Sequence, residues 1–404
     1  MQGVFAHRDF RLLLSGQAAS TLGDRVVFVA LALYVTDIGS PSDVGIVLAA
    51  HALPLVGFLL IGGVWADRLP RHRVMIVTDL VRFALHALLA VLIFTGSVEI
   101  WAIAVIEAAF GTAEAFFRPA YTGLIPQTVP EHDIQQAKAT FSTIETAAEF
   151  AGPALATALV LGVGPGSAFA IDAATFLVSA AFLLPLRPRE RGEAVVRTTV
   201  LTELREGWAV VRSRNWIWVI ILAFSLALLT SFGPWQTLGA TVSIEEYDTR
   251  ATFGIATSAM GAGTILGALI GFRWRPRHPM RTGMLLALPW PASFAIFALG
   301  LPVAALLPIF ALTGTSVALF GIWWETALAE RVPPHVLSRV TAYDWMGSLA
   351  LLPLGYVLAG PLGEKFGATE VLIGGSVLAL ISLTSTLFVR DVRGLTRLEP
   401  ARTS

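Results

Sequence analysis

Gly62-Gly63-Val64-Trp65-Ala66-Asp67-Arg68-Leu69-Pro70-Arg71-His72-Arg73 is a short basic turn between two long apolar runs, with one acid, Asp67, at its head. Arginines beside two hydrophobic spans must stay in water, and such turns sit on the cytoplasmic side of a bacterial-type membrane. Gly62 and Gly63 leave room for close helix approach, and Asp67 is placed to cap or pair with a neighbouring helix end. Charge alone leaves a second reading open, a loop that only fixes topology.

The rest of the composition points the same way. The chain has 404 residues, 55% of them hydrophobic and 14% charged, with a mean hydropathy of +0.72. A soluble chain carries about a quarter charged residues. Residues 1–9 are polar and the first apolar run is too long for a cleaved leader, so it is expected to stay as a helix. Zero cysteines exclude a disulfide framework, thiolate metal sites and a thiol nucleophile. A net charge of zero gives no case for nucleic acid.

At about 20 apolar residues per crossing, twelve spans are expected: 10–36, 43–66, 73–95, 99–125, 136–162, 166–186, 214–240, 250–272, 281–300, 302–327, 338–362 and 367–389. The domain reading follows as 1–186, a linker 187–213, 214–390, and a tail 391–404. With both termini inside, all of the 28 Lys and Arg except Arg25, Arg82, Arg118, Arg250 and Lys365 fall at cytoplasmic ends or loops. Acids such as Asp43, Glu99, Glu245 and Glu370 mark the outer side. The halves also repeat. Pro70-Arg71-His72 and Pro276-Arg277-His278 match at an offset of 276 − 70 = 206, and Val129-Pro130-Glu131-His132 and Val332-Pro333-Pro334-His335 at 332 − 129 = 203. His7-Arg8-Asp9-Phe10 aligns with Ser213-Arg214-Asn215-Trp216 at the offset of 206. Parallel halves of this kind enclose a midplane site. Within the linker, Leu201, Leu204, Trp208 and Val211 share a helical face, which predicts an amphipathic surface helix.

The pattern Gly-x-x-Ala-Asp-Arg-x-x-Arg-x-Arg, carried here by Gly63, Asp67, Arg68 and Arg71, resembles the loop between helices 2 and 3 of the major facilitator superfamily. Pro70 stands where the family has Gly, and Trp65 where it often has Leu. Gly16-Gln17 with Gly23-Asp24, Phe116-Phe117-Arg118-Pro119-Ala120, Asp172-Ala173-Ala174-Thr175-Phe176 and the linker run Leu204-Arg205-Glu206-Gly207-Trp208 are similar to the efflux branch related to the enterobactin exporter. Gly152-Pro153 is similar to the core of the antiporter motif, but Ala148 and Ala156-Thr157 replace its other glycines. Glu107 precedes Gly111 where a buried Arg is usual, which puts an arginine relay there in doubt. The resemblance implies an all-α membrane protein, with twelve transmembrane helices in two pseudo-symmetric six-helix bundles.

A charge near the bilayer centre costs roughly 2.5–3.5 kcal/mol, so each needs a partner or a task. Helix 1 carries Asp24 and Arg25, helix 4 carries Glu107, Glu114 and Arg118, and helix 5 carries Glu145 and Glu149. Five acids face two arginines. Asp24, Glu114 and Glu149 are at matching depth, and a charged trio there would repel itself, so at least one is expected to hold a proton. The structural alternative ties Arg118 to Glu145 or Glu114 and Arg25 to Glu107 or Glu149. Asp79 and Arg82 are expected to pair on helix 3. His51 and His86 read as isolated hydrogen-bonded residues, and Trp290, Trp323 and Trp324 as possible cavity lining. No His-x-x-His spacing suggests a metal.

These readings converge on a monomeric inner-membrane transporter without a cofactor. The resemblance implies export of a small amphiphilic or cationic compound in exchange for protons. Uptake by proton symport is the alternative on the same fold. A membrane enzyme lacks a nucleophile-base pair, and a channel would not need duplicated halves.

Overall fold

The computed structural model describes residues 3–189, 200–271 and 273–397. Among these residues there are helices and no strands. The first six long helices are α1 (Arg8–Ile38), α2 (Pro41–Arg68), α3 (Arg71–Phe94), α4 (Ile100–Leu124), α5 (Ile134–Gly162) and α6 (Pro165–Leu183). A short α7 (Val200–Ser213) precedes α8 (Asn215–Ala227), α9 (Gly233–Tyr247), α10 (Ala251–Gly271), α11 (Pro279–Ala287) and α12 (Pro289–Ala298). The chain ends with α13 (Val303–Arg331), α14 (Pro334–Leu349), α15 (Leu352–Phe366), α16 (Ala368–Ser385) and the single turn α17 (Arg390–Arg393).

Ten described segments are long and apolar enough to cross a membrane. α5, whose apolar part is Ala151–Gly162, and the α11–α12 pair complete twelve crossings. Three of the expected continuous spans are broken, each beside proline. α8 and α9 join through a π-helical turn at Leu228–Phe232 just before Pro234. α11 gives way to α12 at Leu288, ahead of Pro289 and Pro291, and α14 to α15 at 350–351, ahead of Pro353. Proline removes one hydrogen bond and crowds the preceding turn, so local rewinding or a break is the physical response.

Helix ends follow local chemistry. Ser40 and Asp43 form a capping box on α2: the Asp43 carboxylate accepts from the Ser40 backbone N–H at 2.8 Å, and Pro41 opens the helix. All four positive-φ glycines lie in repeat-related pairs, Gly96 with Gly300 and Gly164 with Gly367. The offsets, 300 − 96 = 204 and 367 − 164 = 203, are close to those in the sequence. The duplication therefore extends to turn conformation, because only glycine enters that backbone region without strain.

The described helices form two compact units, residues 1–194 with 253–258, and residues 195–252 with 259–404. In the first unit α2 packs on α4, α3 on α6, and α1 on both α5 and α6. The α2–α4 contact is a backbone approach. A Cβ on Gly62 would collide with the Ala115 carbonyl, and one on Gly111 with the His51 carbonyl. Small residues that admit a neighbouring backbone are the usual device for packing helices in lipid. Gly62 therefore behaves as expected, but Gly63 does not: a Cβ there would meet nothing within 4 Å among the described residues. The neighbouring helix crosses one residue earlier, so the second glycine faces away from the contact.

In the second unit α13 packs on α11 and α12, α16 on α12 and α8, and α15 on α9. Gly263 against the Ala311 carbonyl and Gly314 against the Met260 carbonyl repeat the α2–α4 device between α10 and α13. α7 packs on α14, where Glu206 pairs with Arg339 and Trp208 meets Tyr343 at 5.6 Å. Of its expected apolar face, Val211 is buried and Trp208 is half exposed; the side chains of Leu201 and Leu204 lie outside the described ones.

Candidate functional site

Polar residues on four helices of the first unit recur at helical spacing. α1 presents Gln17 and Asp24, and α3 presents Asp79, Arg82 and His86. α4 presents Glu107, Glu114 and Arg118, while α6 presents Asp172, Thr175 and Ser179. Spacings of three, four and seven place each set on one face of its helix. In an apolar helix such a face is buried against its neighbours, and the four faces meet.

Arg82 is the cation at the middle of α3. It is 1% exposed, bonds to the fully buried Asp79, and lies 3.8 Å from Asp24 of α1. Its guanidinium also sits over the rings of Phe117 at 3.9 Å and Phe176 at 4.4 Å. Cation–π contact of this kind strengthens in a desolvated setting. The second Asp79 oxygen accepts from Ser179 at 2.7 Å, and Ser179 accepts from Gln17 at 2.9 Å. The expected Asp79–Arg82 pair is present.

α1 reaches this set because glycines let it approach α6. A Cβ on Gly16 would press on Ser179 at 3.2 Å, and one on Gly23 would strike the Asp172 carboxylate. Their chain neighbours Gln17 and Asp24 then point into the polar layer. On the opposite side, a Cβ on Gly152 of α5 would lie 2.5 Å from Cβ of Arg25. The Gly-Pro element of α5 is thus packed against the charged pair of α1.

A second line of groups begins at Asp172. His86 Nδ1 is 2.5 Å from Asp172 Oδ2, and His86 Nε2 is 3.6 Å from Glu107 Oε1. The other oxygen of Glu107 is 3.0 Å from Nδ1 of His51, whose Nε2 is 3.0 Å from Glu114. Glu114 in turn pairs with Arg118 at 2.6 Å. The line runs from a buried end to a more exposed one, with His51 24% exposed between Glu107 and Glu114. Asp172, His86 and Glu107 are almost fully buried, Glu114 is 16% exposed and Arg118 is 52% exposed.

These contacts decide among the pairings left open by the sequence. Arg118 takes Glu114, while Glu145 accepts from the Tyr121 hydroxyl at 3.2 Å. Glu107 pairs with His51 and faces His86, and Asp24 is met by Arg82 across helices. The side chain of Glu149 lies outside the described ones. The sequence reading took His51 and His86 as isolated hydrogen-bonded residues and Asp172 only as part of a family-like run; the structure corrects this, because each histidine faces two acids. The helical register of 79, 82 and 86 on α3 carried that signal. Partners from α2, α4 and α6 did not.

Along these contacts five acids, Asp24, Asp79, Glu107, Glu114 and Asp172, stand against Arg82 and Arg118, an excess of 5 − 2 = 3. Burying unbalanced charge is costly. Protons on His51, His86 or the carboxylates are what this layer can take up to balance itself. No group of three His, Asp or Glu side chains converges to hold a metal ion among the described residues.

At the basic turn, Arg71 donates to the carbonyl of Gly123, near the end of α4, and to that of Ala66 at 3.4 Å. A cation at the C-terminus of a helix opposes the helix dipole. Arg68 is exposed, and the side chain of Asp67 lies outside the described ones. The aromatic residues of the second unit form a packed set. Trp290, Trp323 and Trp324 are all below 9% exposed, and Trp324 donates to Asp344 at 2.8 Å. In this structure they pack between helices.

Duplicated helical crossings around a buried polar layer are the architecture of a membrane transporter. Residues 13–350 match the Major Facilitator Superfamily, and the chain belongs to it. It is 22% identical to Macrolide efflux protein A of Streptococcus pyogenes, over 96% of this chain and 97% of that protein. It is 24% identical to the Multidrug efflux pump Tap of Mycolicibacterium fortuitum, over 95% and 96%. Among solved structures, a mutant of the nucleoside transporter NupG superposes with a TM-score of 0.77 at 15% identity, covering 94% of this chain and 99% of that one. A bacterial homolog of the human lysosomal transporter Spinster, inward-facing and unoccupied, gives 0.75 at 15% identity, covering 98% and 99%. These structural likenesses establish the fold.

Proposed function

We propose that this protein is an exporter in the bacterial inner membrane that expels small amphiphilic or cationic molecules in exchange for protons. The observation that carries the coupling is the polar layer in which five carboxylates outnumber two arginines, with Asp79, Arg82, Glu107 and Asp172 buried at its centre. Protons supply balancing charge reversibly, and their loss would leave a field that attracts a cation. The direction of transport draws on the macrolide and multidrug efflux proteins that align with this chain over almost its full length. Both termini lie in the cytoplasm on this reading, in keeping with the arginine-rich turns at residues 68–73 and 273–281.

Transport proceeds by alternating access. The two six-helix halves, 1–186 and 214–390, rock about a central site, with 187–213 as the connector and the protein acting as a monomer. Protonation of the first-unit layer and occupation by substrate favour opposite-facing states, so each displaces the other. Asp24, Arg25, Glu107, Glu114, Arg118, Glu145 and Glu149 are the groups assigned to coupling or to the substrate cavity. Gly152-Pro153 provides the packing surface for Arg25.

The test uses purified protein in liposomes with an imposed pH gradient, with erythromycin and ethidium as probes. Probe movement against proton movement is expected. Movement of both in the same direction would make the protein a symporter. Probe flux that ignores the gradient would end the antiport reading.

A further inference from the structure

We propose that Asp172, His86, Glu107, His51 and Glu114 form a proton wire through the first unit, with the Glu107–His86 pair as its one open link. This rests on the antiport reading and assigns its proton route to particular atoms.

The alternation of the groups is the first argument. Each imidazole has a carboxylate at both of its nitrogens: Glu107 and Glu114 for His51, Asp172 and Glu107 for His86. A salt bridge made for stability needs one such contact. An imidazole accepts a proton at one nitrogen while releasing another from the opposite one, so two-sided contact is what transfer requires. Two such rings in series, sharing Glu107, span from a fully buried aspartate to a partly exposed glutamate. Glu107 and Glu114 are two helical turns apart, about 10 Å along α4, and His51 bridges them.

The second argument is a missing hydrogen bond. Buried polar atoms are almost always paired. Here Glu107 Oε1 and His86 Nε2 face each other across 3.6 Å, and neither has a hydrogen-bond partner among the described residues. The remaining imidazole–carboxylate contacts of the line are 3.0 Å or shorter. A hydrogen bond needs about 2.7–3.2 Å, so a movement of half an ångström or so makes or breaks this link. Closing this gap would pair both atoms at once.

The third argument is where the open link falls. His51, Glu107 and Glu114 belong to α2 and α4, which are fixed to each other by Gly62 and Gly111 against opposing carbonyls. His86 and Asp172 belong to α3 and α6, which also pack closely. The gap lies between these two helix pairs, so a small shift of one pair past the other opens or closes the wire. Phe110 of α4 stacks on the His86 ring at 4.0 Å and 8°. It keeps the ring plane fixed, and Nε2 stays directed at Glu107. Arg82 lies one turn from His86 on α3, and Asp24 of α1 completes the charged surroundings.

The transfers balance. A proton on Glu114 moves to Nε2 of His51 as the Nδ1 proton moves to Glu107. The protonated carboxyl of Glu107 then turns so that its O–H faces His86, and gives that proton to Nε2 of His86 as the ring's Nδ1 proton passes to Asp172. Glu114 has lost one proton and Asp172 has gained one, with both rings neutral and in the other tautomer. Transfer in the reverse direction restores them.

The test compares wild type with His51→Gln, His86→Gln and Glu107→Gln in liposomes, following internal pH and erythromycin or ethidium together. Glutamine can hydrogen-bond but cannot relay a proton. Coupled proton flux is expected to fall at least about tenfold in each variant, with probe affinity, measured separately, shifted less than about threefold, roughly 0.65 kcal/mol. Coupled flux within twofold of wild type in either histidine variant would overturn the wire while leaving antiport standing. A wild type that moves no protons with either probe would remove the antiport reading, and the wire with it. Should a variant fail to fold, wild-type protein carrying isotope-labelled histidine decides the matter. Substrate addition is expected to change the tautomer or charge of the His51 and His86 rings, and unchanged ring spectra would overturn the proposal.

Discussion

Nδ1 of His51 on α2 lies 3.0 Å from Oε2 of Glu107 on α4, with 56 positions of sequence between them. Gly111, one turn beyond Glu107, admits the backbone of His51 itself. The helix crossing and the ion pair are thus parts of one contact. Replacing Gly111 by alanine is expected to force α2 and α4 apart and to weaken both. Overpacking of a close contact costs about 1–3 kcal/mol, which thermal unfolding in detergent will register as a lower midpoint.

Asp24 faces Arg82 at 3.8 Å and is 39% exposed, the more accessible partner of a buried cation. Asp24→Asn is expected to abolish gradient-driven transport. Glu114→Gln and Glu149→Gln belong in the same experiment. Internal pH and probe flux in liposomes supply the measurement, and retained coupling in all three would place the coupling site elsewhere.

Gly23 is the point at which α1 meets the acid of α6. In Gly23→Ala the new methyl would collide with Asp172 and approach Oγ1 of Thr175 to 2.7 Å. The Asp172–His86 contact would have to shift. A lower unfolding temperature together with slowed coupled proton movement is expected, because packing and the polar layer share this position.

Arg71 ties the basic turn to the end of α4 through the Gly123 carbonyl. Arg71→Ala is expected to lower the transport rate, with little change in probe affinity measured in detergent. Asp67→Asn should act in the same sense. Wild-type rates in both would reduce the turn to a topology signal.

The absence of cysteine permits a direct test of orientation. Single cysteines at Pro70 and Arg277 should react only from the cytoplasmic side, and those at Ser97 and Thr249 only from outside. Asp43 is avoided because it caps α2. Reaction of the Arg277 position from outside would reverse the proposed orientation.

Spans, repeat and family motifs were legible in the sequence because each is a local property. A long apolar run must be helical in lipid, where no water satisfies the backbone. Proline breaks at 289–291 and 353, the cap at Ser40 and Asp43, and the Asp79–Arg82 pair are also short-range matters. The partners of the buried charges were not legible. Asp24 meets Arg82 of another helix, and Glu107 meets His51 and faces His86. Such choices depend on which faces of α1, α2, α3, α4 and α6 turn toward one another, and glycine contacts between helices set that rotation. The sequence by itself determined how many ionisable groups the first unit must bury. Only the tertiary structure decided their order in space, because a hydrogen bond a few ångströms long is fixed by helix packing and not by distance along the chain.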